Sequence, residues 1–393
     1  MRTDISKYLF HGVRKPNLKD YPEQFDDSVY KYLDNPEYLS EFDILKNIII
    51  EGVVKASLSY RNGNPTVYGG EPVVCFTEMP LLNVIQYEKK HHKKPKISTY
   101  GLAVLKKDFY SNGGRPVISG LSIEIPIKNN RIFCNSILPL HEQYRYVSLN
   151  LNTSNKIDWT HEREWRIKCD EYISIKNNYI DDYYNCKGLN IFDEDRFKEC
   201  VIVVKTFEEA DELSKIVDHQ LDLNYSYGNT EFSTKIKFLI LENAIKAMNE
   251  NSLITSIEKL PKDAFYTYKY EKLNEIEIAH IVNTIDECKK LAIKFANEYI
   301  IENKDSLIDS SGFRDICGYA NVKSYKPRNK FVYYLIENKF MYASSNGSYV
   351  FENLVVNIPM YQGLTYHEYI SRKQCEYLNE KIGNFFIMDS WLD

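Results

Sequence analysis

Two apolar rhythms divide this sequence, and the change between them at Thr206 constrains the fold more than any other feature. Upstream, apolar residues gather in short runs separated by Gly, Pro and Asn: Lys7–Arg14, Val73–Thr77, Tyr100–Leu105, Arg115–Ile118, Glu164–Cys169 and Cys200–Val204, with alternation in Ser122–Ile127 and Tyr144–Leu151. Runs of this length and period predict strands. Phe42–Val54 predicts a helix closed by Gly52 and running into a strand, and Leu81–Lys90 and Lys106–Tyr110 predict helices. Many short strands among few helices make residues 1–205 an α+β domain whose split sheets surround a cleft. Downstream, spacings of three and four residues in Phe207–His219, Thr234–Glu250 and Glu275–Lys304 predict a mainly helical region over 206–305. Residues 306–393 change again. A short helix over Gly312–Ala320, a longer one over Arg328–Lys339 and a hairpin turning at Asn346-Gly347 follow the order of a winged helix.

Composition narrows the class. At 393 residues the chain exceeds one ordinary core. With 44% hydrophobic and 27% charged residues it has globular usage rather than that of a disordered polymer. The longest apolar stretch, Ile44–Val54, is broken by Lys46, Asn47 and Glu51 and falls short of the roughly 20 residues a membrane span needs. The start, Met1–Lys7, lacks an apolar secretion segment, so a cytoplasmic location without membrane attachment is the expectation. Eight cysteines carry no C-x-x-C pair and no histidine at zinc-ligand spacing, so they read as reduced thiols rather than a metal site. Between Lys89 and Arg131 stand ten Lys/Arg against two acidic residues, a solvated loop or else a phosphate-facing strip. Residues 201–393 hold 22 basic and 28 acidic residues, which argues against broad DNA affinity there despite Lys323, Lys326, Arg328 and Lys330.

Four short motifs can carry chemistry. In Asp158-Trp-Thr-His-Glu-Arg-Glu-Trp-Arg-Ile167, strand alternation would point Glu162 and Glu164 the same way. One such carboxylate can stabilise an oxocarbenium-like centre while the other receives a proton from the attacking group. Its bland alternative is a surface strand of mixed charge. His11-Gly12 at the end of the first predicted strand, with Arg14 beyond, can set an imidazole and free amides against a ribose, though a lone histidine is also a common structural residue. Phe76-Thr77-Glu78-Met79-Pro80 delivers a hydroxyl and a carboxylate at a strand exit. Gly113-Gly114-Arg115-Pro116 permits close approach to a phosphate, or forms a plain turn. Walker, Rossmann, H-E-x-x-H and G-x-S-x-G patterns are absent, which removes support for kinase, dehydrogenase, zinc-protease and serine-hydrolase readings.

In their order, His11, Phe76-Thr77-Glu78, Gly114-Arg115-Pro116-Val117-Ile118 and Glu162-Arg163-Glu164-Trp165-Arg166, these motifs resemble abortive-infection phage-resistance proteins of the AbiGi type. The resemblance covers about residues 5–205. It implies an ADP-ribosyltransferase-like split-sheet domain that consumes NAD as co-substrate and needs no metal. By the same resemblance Glu164 is the catalytic carboxylate and Glu162 its companion. His11, Gly12, Thr77, Glu78 and Arg115 would bind NAD. The second-strand motif here is Phe-Thr-Glu where the family has Ser-Thr-Ser, and Ser119 stands where a tyrosine is expected. The implied activity is that of an anti-phage toxin modifying a nucleic acid, RNA or DNA, or a protein, restrained by an antitoxin or inhibitory partner. A non-catalytic sensory module acting through the winged-helix-like region is the alternative.

Overall fold

The computed structural model describes residues 6–15, 20, 39–91, 98–123, 131–151, 158, 160–177, 182–227, 233–304, 308–309, 312–313, 315–344, 347–356, 358–359, 361 and 363–392. The fold is mixed α+β, in two compact units: Met1–Asn224 with Gly228–Thr267, and Tyr225–Tyr227 with Tyr268–Asp393.

A seven-stranded sheet organises the first unit. Its spatial order is Lys235–Ile240, Glu199–Val204, Gly101–Leu105, Tyr8–Gly12, Val73–Thr77, Glu164–Lys168 and Arg115–Pro116. The first two strands are parallel, and the other neighbours are antiparallel. Alternation sorts side chains to two cores. Leu9, Leu102, Val104, Cys200, Ile202 and Val204 face one cluster, with Leu45, Ile49, Leu213 and Val217 from helices Glu41–Glu51 and Phe207–Tyr227. Tyr8, Phe10, Ala103, Leu105, Val201 and Val203 face the other, with Val84, Ile85, Ala244 and Ala247 from Leu81–His91 and Leu241–Glu250. Helix Glu41–Glu51 starts in a capping box, Ser40 with Asp43, and ends at Gly52 in the left-handed region, φ 71°.

The helical reading of Thr234–Glu250 is half right. Lys235–Ile240 is a strand, and the helix begins at Leu241. Phe238, Leu239 and Ile240 are buried between helical layers on both faces, so the continuous apolar run hides the strand period. A hairpin that the sequence pattern does not predict pairs Tyr172–Asn177 with Asp182–Asn190. Tyr144–Leu151 holds only a short strand, Tyr146–Val147, after a 3-10 turn over Leu140–Arg145. The expected Ser122–Ile127 strand lies outside the described residues from 124 onward.

In the second unit, Glu275–Glu302 packs against Leu364–Lys381 through Ala292, Ala296, Tyr366 and Ile370. Four antiparallel strands run in the order Met341–Ala343, Tyr349–Phe351, Gly318–Ser324, Ile387–Leu392. The expected helix over Gly312–Ala320 is corrected: Gly312–Phe313 pairs with Ile308–Asp309, and Gly318–Ser324 is a strand with Ala320, Val322 and Ser324 buried at period two. Helix Lys330–Glu337 and the following hairpin form as expected, but the winged-helix order loses its first helix. The sequence divides the chain near 205 and 305, whereas the contacts divide it at 267, because helices Phe207–Tyr227 and Leu241–Glu250 pack on the first sheet.

Candidate functional site

Strands Tyr8–Gly12 and Val73–Thr77 share one register pair, Phe10 with Thr77, and then separate. His11 bridges the opening: its Nδ1 lies 2.8 Å from the Cys75 carbonyl oxygen. A carbonyl only accepts, so Nδ1 carries the hydrogen and Nε2 is left as the acceptor. Burial lowers the His11 pKa, the Cys75 carbonyl works the other way, and nearby Arg14 adds to the lowering, so the ring is neutral at pH 7.

A cavity of about 890 Å³ occupies this part of the unit, lined by His11, Gly12, Thr77, Glu162, Glu164 and Arg166 among others. Alternation sets His11 with Leu9 on one face of the sheet, and Glu164 with Thr77 and Phe10 on the other. One cavity reaches both because the sheet opens between those strands. Six cations line it (Arg14, Lys15, Lys55, Arg61, Arg131, Arg166) against four carboxylates (Asp20, Glu51, Glu162, Glu164).

The two predicted carboxylates meet there by a route that differs from the expected one. Glu162 is not on the strand. Thr160–Glu162 is a 3-10 turn, Arg163 sits at φ 47°, and the strand starts at Glu164. That left-handed residue replaces strand alternation in turning both carboxylates to one cavity. Glu164 Oε1 accepts from Arg166 Nε at 2.8 Å and Oε2 from Nη2 at 3.4 Å. Arg166 is itself buried and donates to the Tyr144 and Tyr146 carbonyls at 2.6 and 3.4 Å. Burial opposes its charge, but Cys75 and Glu164 beside it outweigh this and raise its pKa. Glu162 meets Arg14 across the opening at 3.7 Å.

The other predicted residues divide. Gly12 lines the cavity and pairs with Gly101, where an added Cβ would lie 2.1 Å from the His11 carbonyl oxygen. Thr77 also lines it, but its hydroxyl donates to the Glu162 carbonyl and accepts from the Met79 amide at 3.1 Å. Glu78 and Arg115 are not among the lining residues. Glu78 accepts from Arg163 at 2.6 Å and from Lys106 and the Trp165 indole at 3.0 Å each, away from the cavity. Arg115 donates to the Tyr110 and Gly114 carbonyls and lies over the Tyr110 ring at 4.1 Å. Gly114 has a packing reason, since a Cβ there would fall 2.1 Å from Phe109. In the basic strip, residues 92–97 and 124–130 lie outside the described residues; Lys106 and Arg115 are spent as above, and Arg131 reaches the cavity.

Sequence reasoning missed the wall built by Arg131, Tyr68 and Ser148. Arg131 donates to the Tyr68 hydroxyl at 3.0 Å, and that hydroxyl lies 2.9 Å from Ser148 Oγ. It also gave Arg166 no role, although the Glu-x-Arg spacing on a strand puts both side chains on one face. No family model, curated protein or solved structure matches this chain.

Proposed function

We propose that the first unit is an NAD-consuming ADP-ribosyltransferase with Glu164 as its catalytic carboxylate. The observation that carries this reading is the convergence of His11, Glu162 and Glu164 on one cavity at the place where the central sheet separates. Its volume of about 890 Å³ is in the range of small-molecule and cofactor sites. Its excess of cations suits a diphosphate. The sheet that parts between two strands also supports the split-sheet character of that class.

In this mechanism the bond between ribose and nicotinamide breaks, and its electron pair leaves with nicotinamide. Glu164, fixed by Arg166, stabilises the positive charge developing on the ribose. The target nucleophile forms the new bond to that carbon and passes its proton to Glu162. Neutral His11 accepts a hydrogen bond at Nε2 from a ribose hydroxyl or the nicotinamide amide. The target is a nucleic acid, RNA or DNA, or a protein, and the role is that of an anti-phage effector held in check by an antitoxin or inhibitory partner.

The test is nicotinamide release and transfer of labelled ADP-ribose by wild type and Glu164→Gln, with RNA, DNA or cell lysate as acceptor. Transfer by the wild type alone supports the reading and names the target class. Intact NAD under every condition overturns it. The sensory-module alternative is not favoured by the second unit's cations, since Lys323 is bonded to Asp389 and Lys330 to Glu271 and Glu277.

A further inference from the structure

Thr77 and Glu78 grip the turn that precedes Glu164 at successive points. The Thr77 hydroxyl donates to the Glu162 carbonyl, and the Glu78 amide donates to the Arg163 carbonyl at 3.2 Å. The Glu78 carboxylate then takes the Arg163 guanidinium at 2.6 Å on Oε1 and the Trp165 indole N–H at 3.0 Å on Oε2. Glu78 is buried, so the ionised oxygens make strong bonds there, and Lys106 supplies a second cation at 3.0 Å. Arg163 is the residue at φ 47°, a conformation that costs free energy and persists only where its surroundings impose it. Relaxing Arg163 to extended backbone would restore plain alternation and reset where the Glu162 turn leaves the strand.

We propose that Glu78 is a positioning residue: from the sheet face opposite Glu164 it holds Arg163 in the left-handed conformation and Trp165 in register, so that Glu162 and Glu164 both meet the cavity. This deepens the transferase reading and rests on it. The charge on Glu78 is the part that matters, because one carboxylate serves two cations and an indole at once.

The experiment uses the full chain. Trp165 emission is read in a Trp159→Phe, Trp391→Phe background with and without Glu78→Gln, alongside NAD-cleavage kinetics for Glu78→Gln, Arg163→Gln and the double variant. Arg163 is partly exposed, so its substitution gives a second route should Glu78→Gln fold poorly. The expected results are a shifted Trp165 emission maximum and a kcat lowered about 100-fold, as a 1 Å misplacement of a reacting group produces. KM stays within about threefold, and the double variant is no worse than the worse single one. Folded Glu78→Gln and Arg163→Gln proteins with wild-type kcat overturn the proposal, as does unchanged Trp165 emission. A wild type that leaves NAD intact sinks the transferase reading and the positioning role with it, while the emission pair still reports whether the clamp exists.

Discussion

In the second unit, charged and polar side chains close on one another. Lys323 is buried against Asp389 at 2.6 Å, Lys330 joins Glu271 and Glu277, Ser390 donates to Glu368, and Tyr377 donates to Glu287. Around the cavity of the first unit the same residue types are arranged differently. Glu162 and Arg14 stand 3.7 Å apart, Arg166 takes both oxygens of Glu164 with the Cys75 thiol beside it, and His11 is left with an acceptor nitrogen. Both units pack sheets under helices, yet one spends these charges on structure and the other gathers paired carboxylates and cations at an opening in its sheet. In the proposed transferase, Arg166 and Arg14 fix the two carboxylates while both still face the cavity.

The sharpest way to break this contrast is Glu164→Gln. It keeps shape and one acceptor but removes the charge, so nicotinamide release should fall by about 1,000-fold, the scale of losing one preorganised electrostatic group. Stability should fall as well, by about 3 kcal/mol, because buried Arg166 loses its charged partner and keeps only its two carbonyl acceptors. A folded Glu164→Gln protein with wild-type nicotinamide release would mean that Glu164 is only structural, like the ion pairs of the second unit. Glu162→Gln is expected to act more narrowly. Transfer of label to the acceptor should drop about 100-fold, the scale of a general base, with NAD binding measured by calorimetry retained. Loss of NAD binding in that variant would assign Glu162 to the substrate pocket instead.

The reverse test is Asp389→Asn. It strips the partner from a buried lysine, but Asp389 is 41% exposed, so solvent screening limits the cost to about 1 kcal/mol in chemical denaturation. Nicotinamide release should be unchanged. A loss of turnover would show that the second unit takes part in the chemistry.

How far the sequence announces this arrangement depends on the residue. The strands carrying His11, Thr77 and Glu164 were legible because each is a short apolar run with a clear end. The convergence of Glu162 and Glu164 was legible in outcome and wrong in cause, because a left-handed Arg163 leaves no mark in hydrophobic period. Glu78 and Arg115 look like ligands in sequence, since a carboxylate or guanidinium beside a strand end reads the same whether it meets substrate or a buried partner. The strand Gly318–Ser324 hides behind Lys323 and Ser324, polar residues buried by specific bonds to Asp389 and the Phe385 carbonyl. Partners more than 60 residues away along the chain decide that strand, and local pattern carries no trace of them.

The smallest expected effect compares the two units through a histidine in each. His11 and His367 both have lowered pKa values, chiefly through burial, with a backbone carbonyl opposing it, from Cys75 and from Tyr361. Below the ordinary histidine value of about 6.5 the unfolded chain takes up protons that the folded chain resists, so stability is complete above that value and declines as pH falls toward the folded pKa. Either His→Gln substitution should flatten part of this decline in melting temperature between about pH 6.5 and 5. Only His11→Gln should also change KM for NAD, because only His11 lines the cavity. A KM effect from His367→Gln would erase the division of labour between the units, and an acid decline untouched by both substitutions would place the titrating groups elsewhere in the chain.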